Sequence, residues 1–144
     1  MPPGTPTTSE VAFRMFKVIE LLRSTGEREF PAQLMSTFFW IAAHDGCRQE
    51  DLAKACNLSA SSVSRCVTWL GPSHRLEHRS GLRLVRRERD PDNYKAWRLF
   101  LTPKGEIFKG LLEELATAPD ATPVFETYST KLRAYDNTND QNLG

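Results

Sequence analysis

Ser61, Ser62, Ser64, Arg65 and Thr68 place four hydroxyls and one guanidinium within eight residues of chain. On a helix turning roughly 100° per residue, Ser61, Arg65 and Thr68 point one way, with Ser62, Ser64 and Trp69 on the flanks. Short donors let a helix sink into the major groove of a duplex. Arginine can give two bonds to guanine O6 and N7, and hydroxyls reach base edges or phosphates. The plainer alternative is the solvated face of an ordinary amphipathic helix. Against it, serine is a poor helix interior residue, and Ser59, Ser61, Ser62 and Ser64 crowd the first turns of a short helix.

The elements around that face fit the same use. Val63, Cys66, Val67 and Leu70 fall at i, i+3, i+4 and i+7 and predict a buried stripe on its opposite side. Before it, Leu52, Ala53 and Cys56 give a first helix its core face, Asn57-Leu58 is the turn, and Ser59 caps the second helix. The stretch 48–70 therefore predicts a helix-turn-helix. After Gly71-Pro72 and a polar stretch over 72–79, LRLVRRE and AWRLFL read as two strands joined by an Asp90-Pro91-Asp92-Asn93 turn. A hairpin beside a helix-turn-helix is a wing. Arg75, Arg79, Arg86, Arg87, Arg89, Tyr94 and Lys95 are its candidates for the sugar–phosphate backbone and the minor groove, with Asp90 and Asp92 weakening the local field.

Charge divides in the same sense. Residues 65–109 hold eleven Lys/Arg against five Asp/Glu, a net +6, whereas 110–144 hold two against six, a net −4. One basic third is the footprint of a surface that meets phosphates, although charge runs are often merely solvated. Double-stranded DNA is the expected partner.

The ends of the chain supply helices. Residues 1–8 read as a flexible arm, and Ser9 or Thr8 caps a helix reaching about Thr25. Its two apolar stripes, Val11/Met15/Val18/Leu22 and Ala12/Phe16/Ile19, are wider than one contact needs and suggest a second chain. A second helix starts at Pro31 and stops before Gly46, with Leu34, Met35, Phe38, Ile41 and Ala42 toward the core. Thr102-Pro103 opens another, carrying Ile107, Phe108, Leu111, Leu112 and Leu115. A last helix over 119–135 presents Phe125, Tyr128 and Leu132, and 136–144 reads as a disordered tail. The expected class is mainly α with a small β-hairpin wing (α+β). The winged helix-turn-helix domain spans 9–118, dimerised through Val11, Met15, Val18, Leu22, Leu111, Leu115, Phe125, Tyr128 and Leu132.

Other chemistries find little support. No GxSxG, P-loop, GxGxxG or HExxH pattern occurs, so no enzyme and no cofactor is expected. His74 and His78 lack a nearby cysteine pair, so no metal site is expected. Cys47, Cys56 and Cys66 read as reduced buried thiols, with the alternative that Arg48 or Arg65 acidifies one for redox sensing. No long apolar run and no secretory signal is present, which predicts a cytoplasmic protein without membrane contact.

The stretch GLRLVRRERDPDNYKAWRLFLTPKG, with DLAKACNLSASSVSRCV before it, resembles the MarR family of winged-helix regulators. The matching positions are Gly81-Leu82, Arg86-Arg87, Asp90-Pro91, Lys95-Ala96, and Leu101-Thr102 with Gly105. The resemblance implies a homodimeric transcription regulator, a repressor in the commonest case. Its recognition helices would enter successive major grooves and its wings the flanking minor grooves. The family's wing Asp and first Arg fall here on Asn93 and Tyr94, and Arg48 stands where a capping Thr is usual. A small-molecule effector fits the resemblance, but no residue identifies one. The rival reading is a winged helix that binds transcription or replication machinery as a protein-interaction module.

Overall fold

A computed structural model describes residues 9–25, 29–72 and 81–117. The described elements are α1 (Glu10–Arg23), α2 (Ala32–Ala43), β1 (Cys47–Arg48), α3 (Gln49–Cys56), α4 (Ala60–Leu70), β2 (Val85–Arg89), β3 (Trp97–Leu101) and α5 (Pro103–Thr117). The arm over 1–8, the helix over 119–135 and the tail over 136–144 lie outside the described residues, as do Arg75, Arg79, Phe125, Tyr128 and Leu132.

Two compact units form, one over Glu29–Lys109 and one containing α1 with α5 from Gly110 onward. In the first, Leu34, Phe38 and Ile41 of α2 are buried, together with Leu52 of α3 and the whole predicted stripe Val63, Cys66, Val67 and Leu70 of α4. Phe38 meets Phe108 edge to face at 5.6 Å between ring centres. The α2 helix ends as its sequence suggests. His44 donates its backbone N–H to the Trp40 carbonyl at 3.0 Å, its ring Nδ1 lies 3.0 Å from the same oxygen, and Gly46 turns the chain at φ +76°.

The sheet contains the expected hairpin of β2 and β3 and adds a third strand that the sequence reading did not include. Three antiparallel strands run in the order β1-β3-β2, with Cys47 opposite Leu99 and Arg48 opposite Arg98. The second strand also begins later than its sequence implied. Residues 82–84 bond instead to the end of α4, through Leu82 N–H to Trp69 O at 2.9 Å and Leu84 N–H to Leu70 O at 2.7 Å. Between them Arg83 takes φ 59°, which breaks the alternation, so Leu84 and Val85 are both buried.

In the other unit Ser9 caps α1 by accepting the Ala12 N–H at 3.2 Å. Val18, Leu21, Leu22, Leu111, Leu112 and Leu115 are buried. Val11, Phe13, Met15, Phe16 and Ile19 of α1 stay exposed.

Candidate nucleic-acid interface

The turn between α3 and α4 is built by local chemistry. Asn57 ends α3 in the left-handed region at φ 51°, a conformation asparagine tolerates better than most, and Leu58 N–H bonds back to Ala53 O at 3.0 Å. Ser59 then caps α4, its Oγ accepting the Ser62 N–H at 3.1 Å. The same hydroxyl lies 2.9 Å from Ser62 Oγ and 3.2 Å from Ser61 Oγ. Arg65 Nη2 in turn donates to Ser62 Oγ at 3.2 Å. The serines of the first turn thus have the reason their propensity demanded. One caps the helix, and through Ser62 the network holds Nη2 of the exposed Arg65 guanidinium. Ser61 is exposed, and Ser62, Ser64 and Thr68 are half-buried.

The hairpin lies along α4. Near the start of α4 a cleft of about 320 Å³ is lined by Ala60 and Val63, by Gln49, Glu50 and Ala53 of α3, and by Lys95 and Trp97 of the wing. Near its end a second cleft of about 290 Å³ brings Thr68 beside Arg86 and Arg87. Two of the predicted groups, Thr68 with the Arg86-Arg87 pair, therefore share one wall, and Lys95 sits at the opposite end of the same helix.

The wing arginines are ordered by aromatic rings on the facing strand, a feature that sequence reading missed. Arg89 stands 3.6 Å and Arg87 4.5 Å above the Trp97 ring, Arg86 4.5 Å above Phe100, and Arg89 5.4 Å from the centre of Tyr94. Cross-strand register explains the pairs, since Arg86 faces Phe100 and Arg89 faces Trp97. Each such contact is worth about 0.5–1 kcal/mol at an exposed site. That energy orders the guanidinium while leaving it charged. Arg86 is also paired with Glu88, which offsets part of its field.

At the base of the wing Asp90 is buried, and it is more than a turn residue. Its Oδ1 accepts the Asp92 N–H at 2.9 Å, while Oδ2 lies 3.0 Å from Arg48 Nε and 3.3 Å from Arg98 Nε. Arg48 therefore gives α3 no side-chain cap and instead fastens β1 to the wing. The field of Asp90 is spent on those two cations rather than on the tip. The Asp92 N–H bond foremost, with Arg98 and Arg48 beside it, holds the Asp90 carboxyl below the usual carboxylate range against the opposing effect of burial. A depressed native value means a stabilising contribution that is present above the unfolded pKa of about 3.8–3.9 and is lost as pH falls through the native value. We expect Asp90→Asn to melt below the wild type at pH 7 and the gap to narrow as pH drops below about 4. A gap that does not change between pH 7 and pH 3 would rule out the clamp.

Of the three thiols, Cys66 is buried as expected whereas Cys47 and Cys56 are half-buried, and the surroundings of all three disfavour the thiolate. Burial, reinforced by Asp51 and Asp45 and opposed by its own backbone N–H, pushes Cys47 up to about 11. Burial likewise raises Cys56, and it raises Cys66 despite a hydrogen bond with Thr37 and the charge of Arg65. The thiolate is the reactive form, so all three should alkylate with iodoacetamide at pH 7.5 far more slowly in the folded chain than in urea. Equal rates in the two states would overturn this.

Among the described residues no group of three or more His, Cys, Asp or Glu is placed to hold a metal ion, and no helix is long and apolar enough to cross a membrane.

Comparison with solved structures places this architecture. S. aureus MepR in complex with DNA is 18% identical over 93% of this chain and 95% of its own, with a TM-score of 0.60. The chain has the MarR-type winged-helix fold. YusO from Bacillus subtilis (17% identity, 92% and 86% coverage, TM-score 0.54) and a MarR transcriptional regulator from Methanosarcina mazei Go1 (14%, 92% and 93%, 0.53) are similar in the same way. No protein-family model and no curated protein sequence matches the chain.

Proposed function

We propose that this chain is a sequence-specific double-stranded DNA-binding transcription regulator, acting in the cytoplasm as a homodimer and in the simplest case as a repressor. The observation that carries this reading is the exposed, serine-anchored Arg65 on α4, flanked at the two ends of that helix by wing cations. Ser61, Ser62, Ser64, Arg65 and Thr68 would read base edges, and Arg86, Arg87, Arg89 and Lys95 would hold phosphates. The DNA complex of MepR, whose fold is the same, supports the use of these elements on a duplex.

The dimer is proposed on the exposed face of α1. Five large apolar side chains lie open there, Val11 at 69% exposure and Phe13, Met15, Phe16 and Ile19 beside it. Val18, Leu22, Leu111 and Leu115 are already covered within the single chain, which leaves Val11 and Met15 as the described residues of the predicted set that a partner can reach.

The experiment is selection from a randomised duplex pool at near-physiological salt. Enrichment of an inverted repeat with half-site centres about 10 base pairs apart is the expected result. Enrichment of no sequence would transfer the fold to the protein-interaction reading. Salt then separates the two, because affinity for a duplex falls steeply with salt whereas an apolar protein contact does not.

A further inference from the structure

Tyr94 stands out at the wing tip. It is 79% exposed, the most open of the large hydrophobic side chains among the described residues, and most of its ring is left in water. The turn carrying it is tightly tied. Asp90 N–H bonds to Ala96 O at 3.0 Å, Asn93 N–H to Asp90 O at 3.2 Å, and Ala96 N–H to Asn93 O at 2.8 Å. Side chains close the turn twice more, Asp90 Oδ1 accepting the Asp92 N–H and Asn93 Oδ1 the Lys95 N–H. The Arg48–Asp90–Arg98 group then fixes the base of the tip to β1 and β3. A rigid turn therefore holds out one stiff aromatic ring, with Arg89 5.4 Å from its centre and exposed Lys95 next in the chain.

We propose that Tyr94 is a wedge for duplex DNA, entering the minor groove beside the half-site and stacking at a deformable pyrimidine–purine step that it partly opens. This rests on the reading of α4 as the major-groove helix, because the wing that runs along it then faces the adjoining groove. A ring is thin enough for a groove about 6 Å wide, and pyrimidine–purine steps unstack most readily. Unstacking costs energy that a mobile loop would add to by losing its own freedom, whereas this tip is already ordered. Arg89 and Lys95 supply the cations that such an insertion needs against the converging phosphates. Specificity then arises at positions flanking the half-site without any hydrogen bond to a base.

The test uses the full chain and the duplex it enriches, with 2-aminopurine placed singly at each flanking position and dyes at the two ends. The wild type and Tyr94→Phe should brighten 2-aminopurine at one position on each side and shorten the end-to-end distance. Tyr94→Ala should melt like the wild type, lose the brightening and the bend, and bind roughly tenfold more weakly, in line with the loss of one stacked aromatic. Substituting a stiff A-tract for the step should bring the wild type down to the alanine variant. Wild-type brightening and affinity in Tyr94→Ala would overturn the wedge, and so would loss in Tyr94→Phe, which would assign the contact to the hydroxyl. Sequence enrichment without brightening removes the wedge alone, whereas failure to enrich any duplex removes the DNA reading together with it.

Discussion

Replacing Gly105 with alanine should cost about 3 kcal/mol and lower the melting temperature by roughly 10 °C. The glycine sits in the first turn of α5, where helix backbone meets the backbone of the segment leading into β2. A Cβ there would lie 2.0 Å from the Leu84 carbonyl oxygen and 3.2 Å from Leu101 Cβ. Neither is the free end of a side chain that can swing away. The same carbonyl accepts the Thr102 N–H at 3.0 Å, and Thr102 Oγ1 donates to Arg83 O at 2.6 Å while accepting the Gly105 N–H at 3.0 Å. Relieving the clash therefore means pulling the cap of α5 off the segment that leads into the wing. Gly110 is the control. It lies on the same helix with nothing within 4 Å of its Cβ position, so alanine there should be neutral or stabilise by about 0.5–1 kcal/mol through helix propensity. Thermal melts of both variants decide the matter, and a Gly105→Ala midpoint within about 2 °C of the wild type would show that the close approach is not required.

That contact also shows where sequence reading was strong and where it stopped. Thr102-Pro103 was readable as a cap and a helix start, whereas Gly105 entered only as a position of the family resemblance, and its close approach to Leu84 is seen in the fold alone. The stripe on α4, the Ser59 cap and the Asn57 turn were readable for the same reason, since each depends on residues within one or two turns of one another. Periodicity reports which side of an element is apolar, and burial of Val63, Cys66, Val67 and Leu70 follows from it directly.

What sequence reading missed is long-range. The β1 strand is two residues long, too short for any pattern, and exists because Cys47 and Arg48 find Leu99 and Arg98 some fifty positions later. Asp90 was legible as a turn former, but its partners Arg48 and Arg98 come from two different strands. The late start of β2 hangs on one residue, Arg83, whose left-handed backbone no arginine advertises. The apolar stripes of α1 were seen, yet only the folded chain separates covered Val18 and Leu22 from open Val11 and Met15. In the wing, alternation identified Trp97 and Phe100 as strand residues, but not as the rings that order Arg86, Arg87 and Arg89. Cross-strand register decides that, and register is fixed by pairing rather than by composition.

Loss of Arg65 should weaken binding to the enriched site by about 1–3 kcal/mol, or roughly 5- to 150-fold, and relax preference at a single base pair. The guanidinium is exposed, and its contact with the Ser62 hydroxyl at 3.2 Å takes one of the two Nη2 hydrogens, so the other pairs with a neighbouring N–H to meet a guanine. Arg87→Ala provides the contrast. That side chain stands over Trp97 on the wing and would serve a phosphate, so its loss should weaken all sequences alike and flatten the salt dependence by about one counterion. Arg65→Lys keeps the charge but not the fork, and should retain phosphate-like affinity while losing the base preference. Ser62→Ala should do less than Arg65→Ala, because it loosens the guanidinium without deleting it. Anisotropy titrations against single-base variants of the site at three salt concentrations distinguish these cases. If Arg65→Ala lowers affinity equally for every variant, Arg65 is a backbone contact, and base reading would fall to Ser61, Ser64 and Thr68, whose hydroxyls are too short to compensate.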